Sequence, residues 1–488
     1  MQEREARLAR LQLWLDKGRL GYDDDVNRTH TTADFLHTFI QLESSGASSS
    51  VAGRVIAIRQ VGKLSFLRLK DFSGELQIVV RVQELGEIDY KELLEYLDIG
   101  DIAEFTGKPM TTKSGEKSLL VDNFKLLVKA LAPLPEKWHG LQDVEIRFRQ
   151  RELDLISRPD AKRIFLERSK LIASIRKQLA ELQFIEVETP VLQPIAGGAN
   201  AKPFVTHHNA LSTDLFLRIA PEIYLKRLVV GGFEKIFEIA RCFRNEGIGF
   251  AHNPEFTMLE LYWAYVRPQQ FLEFLEKLIK QAVVDASGRA ELFINGETVA
   301  LEESWPKISF SQAVKNACGI DPVTFNSQAE LEAAVKNAGL DLDFKGCFGL
   351  GEAMDSLYKA TARPLLLGPI WVTEYPSEIK PLAKPLGTNP KLSATAQLVV
   401  GGTEIVNVYY HEQNDPAGQR SAFSKQQLLR ERGSEEAQSF DEEFIQSLET
   451  GLPPCAGVGI GIDRLATFVS GCDTLKEVIL FPTLKRRD

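Results

Sequence analysis

The stretch from Val51 to about Ala130 constrains the fold most, because apolar and polar residues alternate there in short runs. Glycine and aspartate interrupt these runs, which include residues 51–59, 64–70, 75–80 and 101–107. Alternation with a period of two is typical of strands that bury one face. Several such strands in close succession favour a small β-barrel.

The segments that flank this stretch differ from it in pattern. Residues 1–45 indicate an amphipathic helix, a turn and a second short helix, and the serine-rich segment 44–50 is typical of a linker. A proline-bearing joint at 132–135 marks the next boundary. The sequence therefore predicts an N-terminal helical extension at 1–46, the barrel at 47–135 and a larger domain at 136–488.

The larger domain mixes helices with strands. Apolar residues at helical spacing predict a helix over Ile164–Leu182, and a short strand that stops at Pro190 follows it. Residues from about 270 to 365 are mainly helical in pattern. Further strands are predicted at Gly232–Arg244, Glu255–Val266, Gln397–Val400 and Glu404–Tyr410. After them, a glycine-rich strand leads into a final helix at Leu465–Val469.

The overall charge argues at first against a nucleic-acid-binding protein. The formal net charge is −9, so contacts with RNA need local basic patches, and acidic composition favours a small-molecule enzyme. The sequence has neither an apolar N-terminal stretch fit for a signal peptide nor a window long enough for a membrane helix. The scattered cysteines, without a CxxC pair, argue against a disulfide framework and a zinc site and suit a reducing cytoplasm; they are Cys242, Cys318, Cys347, Cys455 and Cys472.

One strand of the predicted barrel has the pattern of an RNA-binding surface. Alternation puts Leu67 and Leu69 on one face and Phe66, Arg68 and Lys70 on the other. A base can stack on the aromatic ring while the cations hold the phosphate backbone, and an outward amide on the next strand can read a base edge. A solvated face with one exposed aromatic explains the same pattern, and such barrels also bind sugars and proteins.

Two sequence blocks predict a hairpin with a charged loop, namely RCFRNEG at 241–247 and HNPEFTMLE at 252–260. Arg244 ends one strand and Phe256 begins the next. An arginine in this position can clamp a phosphate in a forked geometry, and a phenylalanine can stack on a purine. A surface hairpin with salt bridges is the alternative interpretation.

A third block, GVGIGIDR at 457–464, precedes the final helix. Glycines at this spacing are a weak signal for dinucleotide binding. The Asp463–Arg464 pair at the helix start is unlike that motif and favours an arginine aimed at a triphosphate, because the glycines allow close approach of the backbone.

Three features, in this order, resemble the signature motifs of class II aminoacyl-tRNA synthetases: the segment Phe184–Pro190 after its helix, the hairpin with its charged loop and the glycine-rich block. Nearly the whole chain is similar to the lysyl-tRNA synthetase family of bacterial type, through RTH at 28–30, GLQD at 140–143, RELDLI at 151–156, GGANAKPF at 197–204, RIAPEIYLKR at 218–227 and DEEF at 441–444. The resemblance implies an α+β multidomain protein with an OB-fold anticodon-binding barrel. It also implies a class II antiparallel catalytic sheet flanked by helices, with a helical insertion at about 270–365.

The resemblance implies an ATP-dependent ligase that joins L-lysine to tRNA(Lys), with Mg²⁺, in a cytoplasmic homodimer. In this family Arg244 holds the α-phosphate and the lysine carboxylate, Phe256 stacks on adenine and Arg464 grips the γ-phosphate. The resemblance also implies that Glu246 and His252 contact the nucleotide. The protein positions reactants and neutralises charge, so the chemistry needs no protein nucleophile.

Lysine recognition is implied at a second group of positions. Gly198 would offer its backbone to the α-amino group with help from Glu222, and the side-chain ammonium would meet Glu260 and Tyr262. Positions 260 and 262 share one face of a strand, so a carboxylate and a phenol converge. The matched lysine site also includes Asn407, Tyr409 and Glu412, and its acidic character suits a cation better than the carboxylate of aspartate.

In the barrel, the positions that read a uridine-rich anticodon in this family are matched by Arg59, Phe66, Gln77 and Glu116. The adjacent His207 and His208 are interpreted as structural residues and not as a catalytic pair.

The chain departs from the family pattern at two places. Family members carry a glutamate seven residues before the position of Glu404 to help bind Mg²⁺, and here Gln397 stands there. Metal binding through Glu404 and Gln397 is therefore expected to be weaker or differently shared. One extra residue after Asn407 also puts His411 where the ammonium-binding glutamate is expected, and a local bulge would restore Glu412 to the pocket.

Three other functions compete with this interpretation. One is a sister synthetase for aspartate or asparagine, which the acidic pocket disfavours. Another is the lysyl-transferase paralogue that modifies an elongation factor, a family without the barrel. The last is a non-catalytic RNA-binding or regulatory paralogue, which only Gln397 and the shifted Glu412 support.

Overall fold

The computed structural model describes residues 2–135, 141, 143–247, 249, 252–294, 296–301 and 303–486. The chain divides into two compact units, Met1–Gln142 and Asp143–Asp488. Residues 140 and 142 of the GLQD block lie outside the described residues. The three-domain division with boundaries at 46 and 135 stays a prediction.

A closed five-stranded barrel with strand order β1-β2-β3-β5-β4 forms the first unit, as the alternating runs predict. β3 and β5 are parallel, and the other neighbours are antiparallel. The strands are β1 Ser49–Val61, β2 Leu64–Lys70, β3 Glu75–Arg81, β4 Ile102–Thr111 and β5 Lys117–Val128. The helices are α1 Gln2–Asp16, α2 Thr32–His37, α3 Phe39–Ser45, α4 Val82–Leu85 and α5 Glu87–Tyr96.

The alternation in β2 is confirmed, because Leu67 and Leu69 are buried while Phe66 and its outward neighbours stay partly exposed. The N-terminal helices are not separate from this core. Trp14 and Phe35 pack in the same apolar cluster as the barrel leucines. The single short helix predicted before the barrel is wrong in detail, since α2 and α3 are two helices. The predicted linker shrinks to residues 46–48 because β1 already begins at Ser49.

An eight-stranded sheet with order β14-β15-β18-β19-β20-β11-β10-β6 forms the centre of the second unit. The β14–β15 and β10–β6 pairs are parallel and the inner pairs antiparallel. The strands of the sheet are β6 Ile185–Glu186, β10 Lys235–Phe243, β11 Glu255–Ala264, β14 Lys307–Ser309, β15 Ile370–Thr373, β18 Thr395–Val400, β19 Thr403–Tyr409 and β20 Cys455–Gly461. Smaller sheets contain β7 Leu192–Gln193, β8 Val205–His208, β9 Thr213–Leu217, β12 Glu291–Ile294, β13 Glu297–Ala300, β16 Pro385–Leu386 and β17 Asn389–Ser393.

Two long helices, α8 (Pro159–Glu181) and α10 (Pro268–Ser287), cover one face of this sheet. The helices of the unit are α6 Val144–Arg149, α7 Arg151–Ser157, α8 Pro159–Glu181, α9 Glu222–Val230, α10 Pro268–Ser287, α11 Phe310–Cys318, α12 Gln328–Asn337, α13 Leu350–Thr361, α14 Pro416–Glu431, α15 Glu442–Gly451, α16 Ile462–Ser470 and α17 Leu475–Val478. Apolar residues of α8 and α10 pack against alternate residues of the central strands, such as Leu259, Leu261 and Val458. The residues between them therefore point to the opposite face of the sheet.

The elements predicted for this half are present, with shifted ends. α8 begins before the predicted Ile164, because Pro159 at its first turn is a favourable helix start. The region from 270 to 365 contains three short strands, β12, β13 and β14, besides its helices. Of the helices that the structure describes, none is long and apolar enough to cross a membrane.

Candidate active site

A cavity of about 930 Å³ lies on the sheet face opposite α8 and α10. All the ATP-, lysine- and metal-site residues predicted in the second unit line it: Gly198, Glu222, Arg244, Glu246, His252, Phe256, Glu260, Tyr262, Gln397, Glu404, Asn407, Tyr409, Glu412 and Arg464. The sheet therefore brings together side chains that come from distant parts of the sequence.

Strand register explains how the centre of the cavity is built. Glu260 of β11 lies opposite Gly459 of β20, and Tyr262 lies opposite Gly457. Glycine is required at Gly457, since a Cβ atom there would lie 2.3 Å from Glu412 Oε1 and 2.4 Å from Tyr262 Cε1. The glycine-rich strand thus leaves the space that the facing side chains and a ligand occupy.

Three buried carboxyl groups and one ammonium meet at this point. Lys226 Nζ lies 2.7 Å from Glu222 Oε1 and 2.6 Å from Glu412 Oε2. Glu260 Oε2 has no hydrogen-bond partner among the described residues. Burial raises the pKa of all three carboxyls, and the charge of Glu222 further raises the pKa of Glu260. Burial lowers the pKa of Lys226, but the attraction of Glu222 and Glu412 outweighs it and raises the pKa, so Lys226 is a charged partner of these two carboxyls.

A bulge after β19 decides which side chain enters this cluster. Tyr409 pairs with Gly457, so regular pairing would place His411 opposite Cys455. Instead the backbone N–H of Glu412 donates to the carbonyl of Cys455 at 3.1 Å. The extra residue is absorbed in the bulge, and Glu412 is buried with its carboxylate in the cavity while His411 is exposed.

A second bulge, inside β19, places Glu404. Its partner on β18 is Val399, because the register skips Ile405. Opposite residues share a face of the sheet, so the skip moves Glu404 to the face that carries Asn407 and Gln397. Without it, positions 404 and 407 would point to opposite faces.

Cationic groups surround the other end of the cavity. The Arg244 guanidinium lies 4.9 Å from the centre of the Phe256 ring, and its Nε has no partner among the residues that the structure describes. Arg464 Nη1 donates to the backbone carbonyl of Glu404 at 2.7 Å. Burial, and then the Arg464 charge, lower the pKa of His252, which keeps this imidazole neutral near pH 7.

Gly198 and Glu246 complete the predicted set. Gly198 has φ +88°, and a Cβ there would lie 2.9 Å from the Cβ of Glu222. This conformation and close approach favour glycine, so its backbone lies beside the acidic end of the cavity. Glu246 lines the cavity. Burial lowers the pKa of both His252 and Arg464, and the negative charge of Glu246 offsets part of this effect.

Known proteins match both units. Residues 143–485 match the family model described as tRNA synthetases class II (D, K and N), and residues 50–127 match the model of an OB-fold nucleic acid binding domain. A lysine–tRNA ligase of Pelotomaculum thermopropionicum is 44% identical over 488 residues, which are 100% of this chain and 95% of that relative. The chain belongs to the lysyl-tRNA synthetase family.

Other members of this family show the same extent of similarity. The lysine–tRNA ligase of Carboxydothermus hydrogenoformans is 44% identical and covers 99% of this chain and 98% of its own length. That of Wolinella succinogenes is 44% identical, with 96% and 93% covered. The family membership confirms the predicted fold class, an OB-fold barrel followed by a class II synthetase domain.

Sequence reasoning missed three lysines in or beside the cavity. Lys226 was quoted within a motif but given no role, although it follows Glu222 at the i, i+4 spacing that brings helical side chains together. Lys359 and Lys380 themselves line the cavity, and α13 holds Lys359 at 2.6 Å from Asp355. No local sequence pattern predicts that Lys380 lies in the site, because it is on a loop and not on a helix or strand.

The predicted anticodon residues of the first unit lie on three neighbouring strands and the β4–β5 turn. Arg59 of β1 is directly opposite Phe66 of β2. Arg68 Nη1 lies 2.8 Å from Glu116 Oε1, and the Gln77 amide faces the same carboxylate. The partly exposed ring is thus next to polar groups that can donate to or accept from a base.

The two adjacent histidines stand apart from the cavity. His207 Nδ1 lies 2.7 Å from Asp214 Oδ1 on the exposed β8–β9 hairpin, and His208 accepts a hydrogen bond from the backbone of Leu211. Neither lines the cavity.

Proposed function

We propose that this protein activates L-lysine with ATP and transfers it to tRNA(Lys). The observation that carries the proposal is the cluster of Glu222, Glu260 and Glu412, in which Lys226 pairs with two of the carboxyls while Glu260 Oε2 has no hydrogen-bond partner among the described residues. Such a site has an excess of buried negative charge, so it favours a guest that brings a positive charge. A carboxylate guest such as aspartate would add to the repulsion.

Within this cluster, we assign the lysine ammonium to the space bordered by Glu260, Tyr262 and Glu412. Glu260 Oε2, without a partner among the described residues, is the natural acceptor. Tyr409 and Asn407 line the same wall. The lysine α-amino group lies at the Gly198 backbone and Glu222, which the left-handed glycine brings within contact of each other.

ATP occupies the cationic end. Phe256 stacks on adenine, Arg244 clamps the α-phosphate together with the lysine carboxylate, and Arg464 holds the γ-phosphate. Neutral His252 and Glu246 contact the nucleotide. An arginine fork matches phosphate geometry, and the Phe256 ring that now stacks beside Arg244 keeps that guanidinium oriented.

Mg²⁺ enters, on this proposal, as part of the ATP substrate. The pair Glu404 and Gln397 offers a metal ion one carboxylate only, because position 397 carries a neutral amide, whose Nε2 donates to Asn407 Oδ1 at 3.3 Å. In the described part of the chain no group of three or more His, Cys, Asp or Glu side chains is arranged to hold a metal ion.

The chemistry then follows from positioning. The lysine carboxylate oxygen attacks the α-phosphorus, and the bond to the bridging oxygen breaks with release of pyrophosphate. A ribose hydroxyl at the tRNA 3′ end next attacks the carbonyl carbon of lysyl-adenylate and releases AMP. Arg244 stabilises the charge that develops on the α-phosphate, and the fixed arginines need no reorganisation at that moment.

The test is amino-acid-dependent ATP–pyrophosphate exchange with a panel of lysine, aspartate and asparagine. We expect strong exchange with lysine and none with the other two, because only lysine neutralises the carboxyl cluster. Exchange with aspartate or asparagine would instead identify a sister synthetase. Folded protein that exchanges with none of the three would leave an RNA-binding paralogue.

Replacing Phe66 with alanine is expected to weaken binding of tRNA(Lys) roughly tenfold or more, since one stacked base contributes roughly 1–3 kcal/mol. Lysine-dependent exchange, which needs no tRNA, should be unchanged. The measurement is filter binding of tRNA alongside exchange. Ile88→Ala, which removes an exposed apolar side chain from α5, is the control; equal loss in both variants would contradict the role of Phe66.

The homodimer and the cytoplasmic location stay predictions. Exposed apolar side chains near Pro190, namely Ile185 and Leu192, support a subunit contact at the helix and strand around that proline. Sedimentation of the purified protein decides between monomer and dimer.

A further inference from the structure

Lys380 brings a cation into the part of the cavity that the family resemblance assigns to a metal ion. It lines the cavity together with Gln397 and Glu404. Its Nζ donates to Asn407 Oδ1 at 2.8 Å and lies 5.2 Å from the centre of the Tyr375 ring. An ammonium has three N–H donors. The bond to Asn407 is the one hydrogen bond that Lys380 Nζ makes with the described residues, so two donors are left for a ligand.

Gln397 and Lys380 are neighbours because they share one acceptor. Gln397 Nε2 donates to the same Asn407 Oδ1 at 3.3 Å, across the β18–β19 pair. The two donors use both lone pairs of that amide oxygen. The Asn407 oxygen is therefore not free to bind a metal ion, and the neutral Gln397 brings no carboxylate charge to hold one.

The charges around Lys380 point in the same direction. Burial lowers its pKa, Glu404 and Asp355 raise it, Lys359 lowers it and Glu222 raises it. Asp355 is already engaged by Lys359 at 2.6 Å. Glu404 is thus the carboxylate whose charge Lys380 balances. Two carboxylates would balance a divalent ion, whereas one carboxylate beside an amide balances one ammonium.

We propose that Lys380 supplies, as a fixed part of the protein, the positive charge that a carboxylate-held metal ion would otherwise supply to the triphosphate. The proposal rests on the proposed function, because it needs ATP in this cavity. Gln397 is part of this arrangement, because a glutamate at position 397 would form an ion pair with Lys380 and draw its ammonium away from the phosphates. The protein should therefore bind one fewer divalent ion per site than a variant with the charges exchanged.

The experiment counts bound Mn²⁺ by electron paramagnetic resonance in protein saturated with α,β-methylene-ATP, and measures the Kd of the same analogue by calorimetry. Four proteins are compared: the natural chain, Lys380→Met, Gln397→Glu and the double variant. Methionine keeps the stem that packs near Tyr375 and removes the charge. Lys384→Met is the matched control, because that exposed lysine also donates to an asparagine, at 2.8 Å from Asn414 Oδ1.

We expect Lys380→Met to bind the analogue about tenfold more weakly or worse, with no gain of Mn²⁺, while Lys384→Met binds it normally. The double variant should gain one Mn²⁺ per site, and Gln397→Glu alone should gain none. Equal Mn²⁺ counts in the natural and double-variant proteins, or unchanged analogue binding in Lys380→Met, would overturn the proposal while leaving the proposed function intact. Failure of the natural protein to bind the analogue at all would overturn both.

Discussion

Glu260→Gln is expected to raise the KM for lysine about a hundredfold or more in ATP–pyrophosphate exchange. Glu260 is buried, and its Oε2 has no other partner among the residues described. The amide keeps the shape of the side chain but loses the charge that meets the lysine ammonium. Removing one partner of a buried charge pair costs about 2–5 kcal/mol, and each 1.4 kcal/mol is a factor of about ten.

The same variant has a second signature, in the pH dependence. Burial and the neighbouring Glu222 hold the pKa of Glu260 well above its usual range, so in the free enzyme this carboxyl still carries a proton at pH values where an exposed glutamate is ionised. A bound ammonium favours the ionised form, so lysine binding releases that proton and the KM falls as pH rises toward the raised pKa. Calorimetry of lysine binding in buffers of different ionisation enthalpy measures the release.

A buried carboxyl elsewhere in the unit serves as the control for Glu260. Glu167 is also buried, pairs with Arg163 at 2.8 Å and is not among the cavity residues. Glu167→Gln should leave both the KM for lysine and the proton release unchanged. A Glu260→Gln protein with normal KM and normal proton release would show that the ammonium is bound elsewhere.

Local patterns predict the parts of the site that follow regular strand geometry. Positions 260 and 262 lie on one face in the sequence pattern and in the structure, where alternate residues of β11 are packed on the helices. The same reasoning places Leu67 and Leu69 inside the barrel. These features depend only on the period of a strand, which a sequence displays directly.

The bulges are different, because pairing partners distant in sequence determine them. Strand alternation separates Glu404 from Asn407, yet the skipped Ile405 brings both to the cavity. The bulge after Tyr409 exchanges His411 for Glu412 in the same way. The carboxyl cluster gives a physical reason for the second bulge, since Lys226 attracts a carboxylate to that point. The sequence raised this possibility, and the sheet register decides it.

Arg244→Ala is expected to lower kcat/KM for lysine-dependent exchange by about a thousandfold, the largest effect among single changes in the ATP end. Its guanidinium lies over Phe256 and faces the cavity with an Nε that has no partner in the described structure. On the proposed mechanism it stabilises charge on the α-phosphate in the transition state. Removing one such fixed donor typically costs a factor of about 10²–10³, and loss of an arginine at a transferring phosphoryl group costs about 10³–10⁵.

Two further variants separate geometry from charge and from stability. Arg244→Lys keeps the charge but loses the fork, so it should recover only part of the rate. Arg241, on β10 just before Arg244, is exposed and pairs with Glu255 at 3.2 Å, so Arg241→Ala should leave exchange nearly unchanged. Equal loss in Arg241→Ala and Arg244→Ala would trace the effect to the hairpin as a whole. Full recovery of the exchange rate in the Arg244→Lys variant would show that a single positive charge at this position is enough and that the α-phosphate needs no forked donor.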